Sequence, residues 1–284
     1  MNPDERRREL GRLLRSRRGS LRPEDIGLLS SPRRRAQGLR REDVAAASDI
    51  SLSWYAWLEQ GREIHPSAGA LGRICETLRL TEVEREYVAL LANRASRALS
   101  SQPGGDTSAQ LNMVQRILDA FGETPAMLYN LRFDVMATNA SARTIYGADV
   151  ASCSSWRRNM IWRFFMDPGR RKLYPDATDD LAIRNLIQAL RLNWARNSSD
   201  EMVGELIAEL SAASREFEDI WERHEVARLS IVAGRLLPDQ SAEPLRIQYS
   251  RLCLPTLPGY AIGAEIPSTA EDVAMLHRLL VRRA

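Results

Sequence analysis

The sequence predicts an all-α N-terminal domain of five helices, joined by a short linker to an α+β domain built on an antiparallel sheet. Three observations carry this. Five helical patterns fill roughly the first 95 residues, the stretch from Ser100 to Asp106 is polar and rich in Ser and Gly, and period-two runs flank long helical patterns beyond it. The boundaries read as 1–99, a linker at 100–109, and 110–284.

The first helix carries Leu10, Leu13 and Leu14 on one face. Two short patterns follow: Val44 and Ala47, a turn at Ser48-Asp49-Ile50, then Ser51 as the cap of a helix with Tyr55 and Leu58 inward and Gly61 as its stop. Leu71, Ile74, Cys75 and Leu78 mark a fourth helix. Thr81-Glu82-Val83-Glu84 is a capping box opening a fifth, with Tyr87, Leu90 and Leu91 inward. After the linker, Phe133, Val135 and Ala137 alternate with Asp134, Met136 and Thr138, which predicts a strand paired to 126–130 across a turn at Leu131-Arg132. Ile183, Leu186, Ile187, Leu190 and Trp194 predict one long helix, and Val203, Leu206, Ile207 and Leu210 another. Leu245, Ile247 and Tyr249 alternate, as do Tyr260, Ile262, Ala264 and Ile266, and a closing helix runs through Val273, Leu276 and Leu280.

Two short helices around a tight turn form a helix-turn-helix, whose second helix enters the major groove of DNA while neighbouring segments hold phosphates. Ser51, Ser53, Trp54 and Trp57 are the expected base-reading residues on that helix, although two tryptophans and a tyrosine in four positions also suit a core or a partner surface. Charge supports DNA. Residues 1–41 hold 13 arginines against five acids, a balance of +8, while the whole chain is only +3. The remainder is therefore net acidic, and a basic end on an acidic body argues for phosphate binding by one domain. Arg33, Arg34 and Arg35, in a loop flanked by Ser, Pro and Gly, are expected along the backbone, as are Arg40, Arg41 and Arg62.

Other classes are disfavoured. Cys75, Cys153 and Cys253 are far apart and odd in number, and His65, His224 and His277 form no cluster, so disulfide and zinc frameworks are not expected. There is no phosphate-binding glycine loop and no nucleophile-elbow motif, so neither an enzyme nor a catalytic cofactor is expected. The polar start of the chain lacks an apolar segment, and no run approaches 18 apolar residues. A cytoplasmic protein with no membrane partner is expected.

Residues 9–95 resemble the Xre-type, lambda-repressor-like helix-turn-helix domain of MmyB-like bacterial regulators. The resemblance rests on Leu10-Gly11, the long basic loop, Gly38-Leu39-Arg40-Arg41-Glu42-Asp43-Val44-Ala45, and Trp54-Tyr55-x-Trp57-Leu58-Glu59-Gln60-Gly61-Arg62. Shorter matches extend it: Phe133-Asp134-Val135-x-Ala137-x-Asn139-x-x-Ala142, Arg158-Asn159-Met160, Phe165-x-Asp167-Pro168 and Glu216-Phe217-x-x-x-Trp221-x-x-His224-x-Val226. Two departures stand out. Arg40-Arg41 replace the Thr-Gln that commonly opens the first motif helix, leaving Arg41 as a phosphate or guanine contact, and Pro238-Asp239-Gln240-Ser241 stands where many members have His-Pro followed by Gly.

The resemblance implies a PAS-like second domain with a pocket for a small apolar ligand, a long-chain fatty acid being the sharpest reading. Trp162 and Phe165, in the apolar run from Met160 to Met166, are expected to line it, with Asn139, Arg158, Asn159, Trp221 and His224 as further ligand-site candidates. Arg158-Asn159 would meet a carboxylate head. The bland alternatives are a buried helix, helix caps at Asn139 and Asn159, an ion pair for Arg158, and a core histidine at His224. The implied partners are a double-stranded DNA operator, the apolar ligand and a second copy of the chain. The other reading of the second domain is a protein-interaction module without a small-molecule ligand.

Overall fold

The structure, a computed structural model, describes residues 1–28, 38–92, 107–146, 151, 153, 155–173, 178–197, 200–229, 232–236 and 244–283. The chain divides into two compact units. The first comprises Met1–Ala98, Trp194–Glu201 and Asp219–Ala227, and the second comprises Leu99–Asn193, Met202–Glu218 and Arg228–Ala284.

The first unit contains the five expected helices: α1 (Pro3–Ser20), α2 (Arg41–Ala47), α3 (Leu52–Glu59), α4 (Ala68–Thr77) and α5 (Glu82–Ala92). Their starts are set by side chains that satisfy otherwise orphaned amides. Asn2 and Glu5 form a reciprocal capping box on α1, Ser51 accepts from the Trp54 amide at 3.2 Å, and Ser67 accepts from the Ala70 amide at 3.2 Å. The Thr81–Glu84 box is present as expected. Leu13, Leu14, Val44, Tyr55, Ile74 and Tyr87 are buried in one core.

α1 and α3 touch backbone to backbone at Gly11. A Cβ there would fall well inside contact distance of the Glu59 carbonyl and 3.1 Å from that of Leu58. The two later segments belong to this same unit through specific contacts. Arg196 holds Glu86 with two nitrogens, at 2.6 and 3.1 Å, and the rings of Trp194 and Trp221 lie 6.2 Å apart. Glu9, buried on α1, accepts from the Tyr87 hydroxyl at 3.1 Å and faces His224 Nδ1 at 3.2 Å.

The second unit opens with α6 (Thr107–Ala120), which begins inside the stretch expected to be linker. Its sheet is antiparallel throughout, in the order β2-β1-β5-β4-β3, with β1 (Ala126–Asn130), β2 (Val135–Thr138), β3 (Val232–Leu236), β4 (Leu245–Cys253) and β5 (Tyr260–Pro267). Between β2 and β3 come α7 (Ala140–Tyr146), α8 (Met160–Met166), α9 (Pro168–Arg171), α10 (Thr178–Arg196), α11 (Glu201–Ala213) and α12 (Arg215–Trp221), and α13 (Ala270–Arg283) follows β5. The last residues of α10 and α12 fall in the first unit.

Register assigns the sheet faces. Leu128 pairs with Ile262 and Ala126 with Ala264, and with Val114, Leu118 and Leu257 they make an apolar layer that includes α6. Alternation then puts Met127, Tyr129, Gly263 and Glu265 on the opposite face, joined there by Tyr249 and Arg251 of β4.

Replacing Gly11 by Ala adds about 1 kcal/mol of helix propensity but forces two backbones apart, which typically costs more. A net loss of about 1–3 kcal/mol is expected, read as a lower urea midpoint for the Gly11→Ala protein.

Candidate DNA-reading face and ligand cavity

Asp49 takes a left-handed conformation (φ 51°) in the turn between α2 and α3, and the Ile50 amide donates to the Ala45 carbonyl at 3.0 Å, so α3 starts at a fixed angle. On α3, Tyr55 and Leu58 point into the core while Ser51, Leu52, Ser53 and Trp57 are exposed and Trp54 is half-buried. Arg62 lies over the Trp57 ring at 5.7 Å, which steadies an indole that is 41% exposed.

The far end of α3 is held by a buried charge. Glu59 is 2% exposed and pairs with Arg18 of α1 at 2.6 Å and with Arg41 of α2 at 2.7 Å. Burial opposes its ionisation, but hydrogen bonds from Arg18 and Arg41 outweigh that and hold its carboxyl below the usual range. Arg41 is thus fixed at the first turn of α2 with 38% of its side chain still open to solvent. Arg40 is exposed beside it, its amide donating to Asp43. The expected contacts Arg33, Arg34 and Arg35 lie outside the described residues.

In the second unit a partly open cavity with about 70 Å³ of free space lies against the sheet face that bears Met127 and Tyr129. Its other walls are Met160 and Phe164 of α8, Arg170 of α9, Ala182, Ile183 and Leu186 of α10, and Leu229. Two strand glycines shape the floor. A Cβ on Gly263 would meet the Tyr129 ring at 2.8 Å, and one on Gly234 would run into the Tyr249 ring. Both tyrosines therefore lie across bare backbone.

Two arginines and a glutamate face this apolar space. Arg251, directly opposite Gly263, hydrogen-bonds Tyr129, whose phenol burial pushes up to about 12 despite that arginine. Glu265, opposite Tyr249, is 3% exposed and hydrogen-bonds the Tyr146 hydroxyl. Burial raises its carboxyl to about 8, leaving it neutral at physiological pH. The Arg170 guanidinium sits 3.7 Å from the centre of the Tyr146 ring.

Comparisons with known proteins bear on both regions. Residues 9–88 match a helix-turn-helix domain, and residues 112–279 match the ligand-binding domain of MmyB-like transcription regulators. The chain belongs to the MmyB-like transcription regulators. No curated protein sequence matches it. Among solved structures, one titled "Structure of an RNA-binding Light-Oxygen-Voltage Receptor" aligns with 85% of this chain at 12% identity and a TM-score of 0.27, and this chain spans 62% of that one.

In this MmyB-like regulator none of the seven expected ligand residues lines the cavity, and the structure does not bring them together. Asn139 accepts from the Ala126 and Ala142 amides, tying β1 to the start of α7. Asn159 caps α8 through the Ile161 and Trp162 amides and donates to Asp134, helping hold that buried carboxylate ionised. Arg158 stands near Tyr260. Trp162 donates to Glu209 at 2.8 Å, and Phe165 packs edge-on against Phe164 and Phe217. Trp221 and His224 belong to the first unit, with Trp194 and Glu9 as neighbours. The cavity walls come instead from the residues adjacent to Trp162 and Phe165 on the other side of α8, and from strand residues that sequence reading left unassigned. Gly263 and Gly234, glycines inside strands, are the local signals of a close approach.

Two of the buried carboxyls, Glu265 and Glu59, give opposite pH signatures. Glu265, raised in the folded state, contributes nothing unfavourable below the unfolded carboxylate range and destabilises the fold as pH climbs from there through about 8. Glu59, depressed, contributes stability above the ordinary carboxylate range that disappears as pH falls through its folded value. Melting temperature should therefore decline between about pH 5 and 8 in the native sequence, and Glu265→Gln should flatten that decline without altering the acid limb.

Proposed function

We propose that this MmyB-like regulator is a cytoplasmic, one-component, sequence-specific transcription regulator that binds its operator as a homodimer and changes operator affinity when a long-chain fatty acid enters the cavity. The cavity supports this reading: it is apolar over most of its wall and has cationic Arg251 and Arg170 at its polar side. An acyl chain would lie between Phe164, Ile183, Leu186 and the sheet, with its carboxylate toward the arginines. Among the described residues no helix is long and apolar enough to cross a membrane. On the DNA side, Ser51, Ser53, Trp54 and Trp57 would meet base edges, with Arg33, Arg34, Arg35, Arg40, Arg41 and Arg62 on phosphates. Dimerisation follows from how such helices read two half-sites one helical turn apart, about 34–36 Å.

Operator affinity should fall steeply with salt, each phosphate contact adding roughly −0.9 to the log–log slope. In a binding assay, replacing Arg33, Arg34 and Arg35 together by Ala should weaken all DNA sequences alike, whereas Ser53→Ala or Trp57→Ala should change preference among them. A reversal of those two outcomes would overturn the division of labour.

Adding dodecanoic acid to delipidated protein should raise the melting temperature and shift operator affinity, since a ligand that favours one conformation does both. Arg251→Ala should weaken the acid by about 1.5–3 kcal/mol more than dodecan-1-ol, because only the acid loses a charge-assisted bond. If no fatty acid stabilises the protein, a protein-interaction role for the second domain replaces this one.

A further inference from the structure

Arginines alone do not account for the polar chemistry of the cavity. Glu265 sits on the central strand of the sheet, with its side chain on the cavity face between β1 and β4. An acid so placed in an apolar wall needs a reason, because a strand position of this kind is ordinarily filled by an aliphatic residue. From α7 comes the Tyr146 hydroxyl, and from β4 come Tyr249, its direct partner, and Arg251, one diagonal step away. β1 offers Tyr129, which Arg251 engages, and α9 offers Arg170, stacked on the Tyr146 ring. Among the described residues, α8 and α10 contribute Met160, Phe164, Ala182, Ile183 and Leu186 to the lining. On α13, Asp272 is taken up by Arg246 and Thr269.

We propose that Glu265 is the specificity-determining residue of the cavity: in its protonated form it donates a hydrogen bond to the oxygen of an anionic ligand head, and in its ionised form it expels that head. This rests on the cavity being the ligand site. The carboxyl has one oxygen committed to Tyr146, which leaves the other, O–H, end for a ligand. An O–H donor bonded to a carboxylate is among the stronger neutral-to-charged pairs, and it carries no charge of its own to repel the head. Once Glu265 ionises, two negative charges would share one apolar chamber, and one of them must leave or take up a proton. Carboxylate binding is thereby coupled to one proton held on the protein. An alcohol head, which accepts from the acid and donates to the carboxylate, is indifferent to that proton. An alkylammonium head would instead prefer the ionised form.

The experiment is titration of delipidated full-length protein, below the micelle threshold, with dodecanoic acid, dodecan-1-ol and dodecylamine between pH 6 and 9.5. The midpoint should fall near the pH at which Glu265 loses its proton, about 8, while all of the arginines stay charged. Above it, affinity for the acid should drop about tenfold per pH unit while the alcohol holds steady. Glu265→Gln keeps a neutral donor of the same shape and should bind the acid with a flat profile across the range. Tyr146→Phe removes a bond that favours ionised Glu265, so the break in the acid profile should move to higher pH. Identical acid profiles for the native protein and Glu265→Gln, or amine bound more tightly than acid at pH 7, would overturn the assignment to Glu265 while leaving the cavity as the site. Failure of both the acid and the alcohol to bind at any pH would instead remove the cavity reading, and this inference with it.

Discussion

The reading helix keeps its pose through a carboxylate it buries at its own end. Glu59 pairs with Arg18 from α1 and Arg41 from α2, so three helices converge on one pair of oxygens. Removing one partner of a buried pair costs about 3–5 kcal/mol, whereas replacing the whole set by apolar residues often costs little. The cluster therefore specifies an arrangement more than it adds stability. It sets the distance from α2 to α3, and it orients Arg41, which stands where related domains commonly carry a glutamine. Gly11 allows this geometry: without a side chain at that point, α1 approaches the Glu59 backbone closely enough for Arg18 to reach its carboxylate.

The second unit solves a different problem with the same residue types. Gly263 and Gly234 let the Tyr129 and Tyr249 rings lie flat on the sheet, leaving free volume above them that side chains would otherwise fill. A buried glutamate again marks the site, but the contrast with Glu59 is instructive. Two arginines keep Glu59 charged, while at Glu265 burial outweighs the Tyr146 hydrogen bond and leaves the carboxyl neutral. The difference is that arginines bond Glu59 directly, whereas the Glu265 carboxyl is bonded by a neutral hydroxyl.

The sequence made the first unit legible because its helices advertise themselves locally. Ser51, Gly61 and the Thr81–Glu84 box each act within one turn, and all stand where expected. The strands β2, β4 and β5 were likewise announced by alternation, and β1 as the partner of β2 across the turn at Leu131-Arg132. β3, with a glycine at its centre, and α6, starting in a polar stretch, carried no such signal. The cavity was hidden for a physical reason. β5 is central and covered on both faces, so a glutamate alternating with Ile262, Ala264 and Ile266 reads as solvent-facing when it in fact faces an interior space. Conversely, Asn159 and Asn139 stood out as polar residues near apolar runs, and their oxygens prove to be occupied by backbone amides. Composition also marks a break near residue 100, but the first unit draws on residues far beyond it.

That last feature bears on how the gene can be dissected. Glu9 is buried on α1 and meets both Tyr87 and His224, and Glu86 on α5 is held by Arg196. A fragment ending at the compositional boundary would keep Glu9 and Glu86 while discarding His224, Arg196 and the paired indoles of Trp194 and Trp221. Its exposed remnant would be a helical surface that evolved under cover, with a carboxylate newly admitted to water. Such a fragment is a different molecule from the N-terminal region of the intact chain, and modular swaps of this regulator need a seam that carries residues 194–201 and 219–227 along with the helices they complete.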